Sequence, residues 1–307
     1  MSKNNISKFR AWVSAARLRT LPLSLSGVFI GSFASYSTLD FNLFIFILAL
    51  ATTISYQVLS NFANDYGDGV KGTDKNRIGP ERALQSGIIG PKEMKKGIII
   101  SSLISLVLTI LLVYTAFNKD FFSFVIFIGL GVLAIIAAIK YTVGENAYGY
   151  SGYGDLFVFV FFGLISVLGS NYLFTSSLSF LLFYPACTVG LLGAGVLNLN
   201  NMRDLENDQL MGKKTLAVCL GTRFSRLYHY LLISISIVLM IVFFFKLNST
   251  SSLLMGLFVS IILWLIVHLV QISNIVDPKK FDKFLKTLVF ASVFYSLVLS
   301  LYYLQII

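Results

Sequence analysis

Residues 20–39, 41–64, 97–118, 121–139, 156–202, 227–245, 247–276 and 287–307 contain no Asp, Glu, Lys or Arg. Each uncharged run is about as long as, or longer than, the roughly 20 residues an α-helix needs to cross the hydrocarbon core of a bilayer. With 56% hydrophobic and 12% charged residues, the chain is too apolar for a water-soluble globule of its length. It reads as an all-α, polytopic membrane protein forming a single domain over residues 1–307.

The run 156–202 is about twice the spanning length and is interrupted by Gly169-Ser170-Asn171 and by Ser176, Ser177 and Ser179. It is therefore expected to form two helices joined by a short turn, which makes nine spans. With the N-terminus in the cytoplasm, all but two of the 24 basic residues fall on inner segments, and only Lys119 and Lys246 lie outside. Retention of Lys and Arg on the inner face produces this asymmetry, and it accounts for the net charge of +10 without nucleic acid. Lys3, Lys8, Arg10 and Arg17, interleaved with Ile6, Phe9, Trp12 and Val13, are read as an interfacial helix and not as a removed signal. Cys187 and Cys219 lack metal or redox spacing and are read as free thiols. His229 and His268 show no partner pattern and are read as structural.

Two acidic stretches stand out against this background: Asn64-Asp65-Tyr66-Gly67-Asp68 continuing to Asp74, and Asn200-Asn201-Met202-Arg203-Asp204 continuing to Asp208. Both follow an even-numbered span, so both are expected at one membrane face, in motif loops 61–96 and 198–226. Asp65, Asp68, Asp74, Glu81, Glu93, Asp204, Glu206 and Asp208, over half of the 14 acidic residues, belong to them. One offset of 136 positions separates Asn64 from Asn200 and Asp68 from Asp204, as in an internal repeat whose halves each supply a carboxylate cluster. On a helix, spacings of three and four align Asp65 with Asp68 and Asp204 with both Asn200 and Asp208.

Carboxylates beside hydrocarbon are costly unless a metal or another cation occupies them. Hard divalent cations take oxygen ligands of this kind, and Mg²⁺ commonly shares its shell with substrate phosphates. No His and Cys cluster favours zinc, and the ligand pattern of an EF-hand is missing. Lys71, Lys75, Arg77 and Arg82 in one loop, and Arg203, Lys213 and Lys214 in the other, supply the charge that a metal-bridged phosphate needs on its remaining oxygens. Lys92, Lys95, Lys96 and the lysines of 279–286 are read as membrane-surface anchors.

Nine spans with these two motifs after the second and the sixth resemble the UbiA superfamily of intramembrane aromatic prenyltransferases over essentially the whole chain. Further details resemble the 1,4-dihydroxy-2-naphthoate polyprenyltransferases of menaquinone synthesis. They are Arg17-Leu18-Arg19-Thr20-Leu21-Pro22, the stretched first motif reaching Asp74, Arg77-Ile78-Gly79-Pro80-Glu81-Arg82 with Gln85-Ser86-Gly87, and Tyr148-Gly149-Tyr150 with Gly152 and Gly154. The second motif adds Asn200 to Asp208 closing on Gly212-Lys213-Lys214-Thr215-Leu216. Asp155 stands where that pattern has Glu, which leaves an acid/base role there open.

The resemblance implies a UbiA-type bundle of two pseudo-repeated halves in the bacterial inner membrane, with the active site facing the cytoplasm and no obligatory protein partner. It implies two Mg²⁺ bridging the diphosphate of a polyprenyl diphosphate donor, held by Asn64, Asp65, Asp68, Asp74, Asn200, Asp204 and Asp208. Asp68, Asp204, Lys71, Arg203 and Tyr141 would be catalytic, and Arg17, Lys140, Arg77, Arg82, Lys213 and Lys214 would bind substrates. The allylic cation would be attacked by the ring carbon of 1,4-dihydroxy-2-naphthoate that carries the carboxylate, so that loss of CO₂ restores aromaticity without a base. Arg17 and the Lys140-Tyr141 pair either meet the substrate carboxylate or snorkel to the membrane surface. Tyr141, Tyr148, Tyr150 and Tyr153 either shield the cation or form an interfacial belt. A 4-hydroxybenzoate-type transferase stays open, as does an ion-coupled secondary transporter, although transporter sites lie nearer the bilayer midplane.

Overall fold

The computed structural model describes residues 8–38, 40–73 and 82–307. Uncharged runs become helices because hydrocarbon offers no partner for a backbone N–H or C=O, and polar residues at the run ends decide where each helix begins. After α1 (Lys8–Ala16), α2 (Leu21–Ala34) is framed by 3₁₀ turns at Leu18–Thr20 and Ser35–Thr38. Asn42 Oδ1 caps α3 (Leu43–Lys71) by accepting the N–H groups of Phe44 and Ile45, and Gly72, at φ 75°, ends it. Next come α4 (Pro91–Phe117), with Pro91 in its first turn, and α5 (Phe121–Lys140), capped by Asp120. The segments α6 (Gly154–Thr175), α7 (Phe183–Arg203) and the short α8 (Leu205–Leu210) follow. Thr215 caps α9 (Leu216–Lys246) and Ser251 caps α10 (Ser252–Ser273), before α11 (Phe281–Tyr303) closes the bundle.

Every regular element among the described residues is helical, and eight segments are long and apolar enough to cross a membrane. They are α3 to α7 and α9 to α11. The remaining expected span, residues 20–39, forms a helix of only 14 residues, α2, lengthened at both ends by 3₁₀ turns.

Run 156–202 divides into two helices, with the break at the expected serines, where Ser176 is left-handed at φ 48°. Helix α6 continues through Gly169-Ser170-Asn171, and its residues Phe159–Gly169 are wound as a π-helix. Packing against α2 explains why these small and polar residues do not break it. A Cβ at Gly31 would stand 2.1 Å from the Val167 carbonyl oxygen, so only glycine lets the two backbones come this close. Asn171 spends its amide on the Gly31 carbonyl at 3.1 Å.

Helix α7 packs against α6, α9 and α11, while α2 touches α3, α6 and α11. The larger core gathers Ile30, Val189, Leu192, Ile233, Ile261, Leu288 and Tyr295; a second, nearer the far end of α3 and α4, gathers Val28, Ile45, Leu112, Val113 and Leu173. Helix α4 turns Ile99, Ile100, Leu103, Ile104 and Val107 outward, a face suited to lipid. Helices are also joined by polar contacts, among them Ser296 Oγ to the Ser26 carbonyl at 2.8 Å and Asn198 Nδ2 to the Ser225 carbonyl at 3.0 Å. His229 and His268, far apart in sequence, are fully buried between α9 and α10 with their Nε2 atoms 3.0 Å apart. Each is therefore the partner that the sequence pattern did not reveal.

In lipid the association of helices depends on close packing, because tails are as apolar as leucine. Helices α6 and α7 also cross closely: a Cβ at Gly163 would lie 2.5 Å from the Ala186 carbonyl oxygen and 2.7 Å from Gly190 Cα. Gly163→Ala is expected to cost about 1–3 kcal/mol, measured as a lowered unfolding midpoint in detergent. Gly256→Ala, where nothing lies within 4 Å, is the control and should leave the midpoint in place.

Candidate active site

The two motif segments meet at one end of the bundle. Asp68 lies in the last turn of α3 and Asp204 immediately follows α7, so both carboxylates sit at the negative end of a helix dipole. Cations meet both, one from a loop and one from the end of α7 itself. Arg82 Nη2 donates to Asp68 Oδ2 at 3.0 Å, with both side chains buried. Arg203 grips Asp204 with two nitrogens, Nε to Oδ1 at 2.9 Å and Nη2 to Oδ2 at 2.6 Å. The same guanidinium donates to Asn200 Oδ1 at 2.8 Å and pairs with Asp282 of α11. Lys213 Nζ lies between the halves, 3.8 Å from Asp68 Oδ1 and 4.0 Å from Asp208 Oδ1. Asn207 Nδ2 adds a bond to the Thr73 carbonyl at 2.8 Å.

Asp65 is 1% exposed, and its two oxygens accept the N–H groups of Ala83 and Leu84 at 3.1 and 3.2 Å. It thereby ties the polar loop back to α3, and Ala83 packs in a small core with Ala11, Ala15, Ile89 and Met94. Trp12 of α1 lies on the same side, edge-on to Phe62 at 5.1 Å. Asn64 Oδ1 faces Thr142 Oγ1 at 3.3 Å. Asp74 and Arg77 lie outside the described residues.

The loop between α5 and α6 is the third contributor. Tyr150 Oη donates to Asp68 Oδ1 at 2.7 Å and lies 3.1 Å from Thr73 Oγ1, while its carbonyl accepts the Lys214 N–H at 3.1 Å. Lys71 Nζ stands 3.9 Å from the Tyr150 ring centroid. Tyr141 meets Tyr148 edge to face at 5.3 Å, and Tyr148 stacks on Phe157 at 3.9 Å. Burial, reinforced by Asp155, Asp68 and Asp208, holds the Tyr141 phenol far above its ordinary pKa. Burial does the same for Tyr148. Both are neutral rings at any working pH, which suits them to facing a carbocation and not to taking a proton. Asp155, buried beside Gly154, has an Oδ1 without a hydrogen-bond partner.

A cavity of about 340 Å³ begins at Asn64, Tyr141 and Tyr148 and runs between α2, α3, α5 and α6 to Val113, Phe127 and Leu173. On α3 it is lined from Asn64 back to Ala49, a length of about 22 Å at 1.5 Å per residue. Its α3 wall is a polar stripe at helical spacing: Thr52, Thr53, Tyr56, Gln57, Ser60, Asn61 and Asn64. That stripe is visible in the sequence as a signal of a lined pocket, and the motif-centred reading passed over it.

Of the expected site residues, Asp68, Lys71, Arg82, Arg203, Asp204, Asp208 and Lys213 converge with Asn200 at the motif end. Tyr141 is set at the mouth of the cavity. Lys140 is exposed at the end of α5, and Lys214 is exposed and joins the cluster through its backbone. Arg17 holds a left-handed backbone at φ 48°, ψ 54°, uncommon for a residue with a side chain. Its turn is secured by Asn61 Nδ2 on the Ala16 carbonyl at 2.8 Å and by Gln57 Nε2 on Thr20 Oγ1 at 3.1 Å. Tyr150 as the centre of the ionic cluster, Asn207 as a strut and Asp282 as the third anchor of Arg203 were all missed in sequence. Asp282 was hidden among the lysines of 279–286.

The donors present are carboxylate and amide oxygens, the set a hard cation such as Mg²⁺ prefers. Among the described residues no three acidic, His or Cys side chains already converge on one point; Arg82, Arg203 and Lys213 hold the carboxylates instead.

A family model described as the UbiA prenyltransferase family matches residues 24–298. A 1,4-dihydroxy-2-naphthoate octaprenyltransferase of Haemophilus influenzae is 48% identical over 234 residues, 75% of each chain. Another of that name from Escherichia coli is 44% identical over 253 residues, 81% of each chain. The fold is similar to that of a UbiA homolog from Archaeoglobus fulgidus, with a TM-score of 0.66 and 16% identity over 97% of this chain and 100% of that one. A structure of a UbiA homolog from the same organism bound to GPP and Mg²⁺ is similar at a TM-score of 0.58 and 16% identity, covering 90% of this chain and 98% of that one. With its model matched across nearly the whole length and such relatives at this identity, the chain belongs to the UbiA prenyltransferase family.

Proposed function

We propose that this protein transfers a polyprenyl group from polyprenyl diphosphate to 1,4-dihydroxy-2-naphthoate, releasing CO₂ and diphosphate, in the biosynthesis of menaquinone. The observation that carries the reading is a cluster of acids and bases at the end of a membrane bundle, one helical turn beyond Asn64, where a largely apolar cavity begins, in a chain whose relatives bear that activity in their names. The diphosphate lies at the motif end and the first part of the isoprenoid tail lies in the cavity. Asn64, Asp68, Asn200, Asp204 and Asp208 would hold Mg²⁺, with Asp74 as a further ligand. Bound there, the metal supplies charge neutralisation of the departing diphosphate. Asp65 keeps the polar loop against α3, and Arg203 sets Asn200 and Asp204 in place.

Ionisation breaks the allylic C–O bond, and its electron pair leaves on the diphosphate. The cation left at the cavity mouth faces the neutral rings of Tyr141 and Tyr148. The naphthoate carbon bearing the carboxylate then forms the new C–C bond, and the pair from the breaking bond to CO₂ returns to the ring. No protein base is required in this sequence of events. Arg17, on its strained turn, and Lys140 are the groups assigned to the substrate carboxylate.

In the membrane we assign nine passes. The helical stretch Leu18–Thr38 has 14 α-helical and seven 3₁₀ residues, a length of about 35 Å at 1.5 and 2.0 Å per residue, so α2 is the ninth. The motif end faces the cytoplasm of a bacterial inner-membrane protein, as the basic residues require.

Purified protein given Mg²⁺, dihydroxynaphthoate and a polyprenyl diphosphate should release CO₂ and form the prenylated quinol by mass spectrometry. No product at any chain length would refute the reading. Asp68→Ala and Asp204→Ala should each cut kcat by on the order of 10²–10³ while circular dichroism stays native; full turnover in either variant removes that residue from the site. For orientation, exposed Cys219 near the motif end should resist a membrane-impermeant maleimide in intact spheroplasts and react in inverted vesicles. The opposite labelling pattern would reverse the topology.

A further inference from the structure

The basic residues around the motifs are held in two different ways. Arg82 and Arg203 are buried and pair with the carboxylates of Asp68 and of Asp204 and Asp282. The Arg203 guanidinium donates through all three of its nitrogens, so its charge is met and its donors are directed away from an incoming phosphate. Lys71 and Lys213 are held by a ring instead. Their Nζ atoms lie 3.9 and 5.2 Å from the centroid of Tyr150, within the roughly 6 Å over which an aromatic face attracts an ammonium. Among the described residues Lys213 has only long carboxylate contacts, at 3.8 and 4.0 Å, and Lys71 pairs with no carboxylate.

The chemical difference matters for anion binding. An aromatic face holds an ammonium through its quadrupole, without adding a negative charge and without engaging the N–H donors as a carboxylate does. The lysines therefore keep what a phosphate oxygen requires. Two ammoniums on one ring also repel each other, a cost that an anion placed between them removes. Tyr150 is itself fixed to both motif segments: Oη bonds Asp68 at 2.7 Å, and its carbonyl accepts the Lys214 N–H at 3.1 Å. The residue belongs to neither motif.

We propose that Tyr150 is a positioning residue for the diphosphate, whose ring holds Lys71 of the first segment and Lys213 of the second as the pair of cations that the donor's phosphates engage. This rests on the prenyl-transfer reading above. It moves the task of meeting the diphosphate from Arg203 to the two lysines, and it gives Arg203 the task of shaping the second motif.

The test uses the full-length protein in detergent with Mg²⁺ and geranylgeranyl thiodiphosphate, a donor analogue that ionises poorly, with binding followed by calorimetry. In Tyr150→Leu the affinity for the analogue should fall on the order of tenfold. The KM for the prenyl diphosphate should rise in parallel, and the KM for the naphthoate should not follow it. Tyr150→Phe, which keeps the ring and loses the Asp68 bond, should recover most of the affinity. Lys71→Met, altered at an exposed side chain, is the second probe should Tyr150→Leu not fold, and it too should weaken analogue binding. Native affinity in Lys71→Met or in Tyr150→Leu overturns the proposal. Equal losses in the Phe and Leu variants, or a naphthoate KM that rises as much as the donor KM, overturn it as well. If the native protein binds no analogue, the prenyl-transfer reading falls and this inference with it; native binding with unaltered variants defeats this inference alone.

Discussion

Carboxylates placed at the C-terminal ends of membrane helices must be matched by positive charge, and most of the site is the answer to that demand. At such an end the helix dipole adds its own negative potential, and little water remains to screen it. Asp68 and Asp204 are met by Arg82, Arg203 and Lys213; the polar loops bring Arg82 and Lys213 back over the bundle, and Arg203 is the last residue of α7. Asp65 contributes differently, by accepting two backbone N–H groups of the returning loop. The ionic cluster is consequently the fastening of the motif end. Breaking any one pair leaves a buried charge behind, the costly outcome for such networks.

The bundle was largely legible because hydrocarbon leaves the backbone so few options. Charge-free runs marked the helices, and cap residues such as Asn42, Asp120, Thr215 and Ser251 set their first turns. Legibility failed where one helix answers to another. Gly169-Ser170-Asn171 looks like a turn in one dimension, yet it remains helical because Gly31 of α2 opens room for it and supplies a carbonyl to Asn171. The short α2 has the same cause in reverse, since polar contacts from Gln57 and Asn61 hold its entry in a 3₁₀ turn.

At the site, the acids were readable from spacing and the partners were not. Asp68 and Asp204 stand out by their repeated setting in an apolar chain. Nothing local marks Tyr150, 82 residues from the carboxylate it bonds, or His229 as the mate of His268 across 39 residues. Residue type did not mark the partners of Arg203 either: its nitrogens donate to Asn200, Asp204 and Asp282. A polar stripe along α3 did announce the cavity, and it is the part of the site that sequence could have yielded earlier.

The bridge from Arg203 to Asp282 has a bearing on biogenesis. Asp282 stands in the first turn of α11, 79 residues after Arg203. Until that helix is inserted, Arg203 lacks one of its anchors, and the acidic end of α7 is only partly neutralised. The motif end is thus completed by an element made well after both motifs, so a nascent chain that has produced both still lacks one of the contacts that fix them.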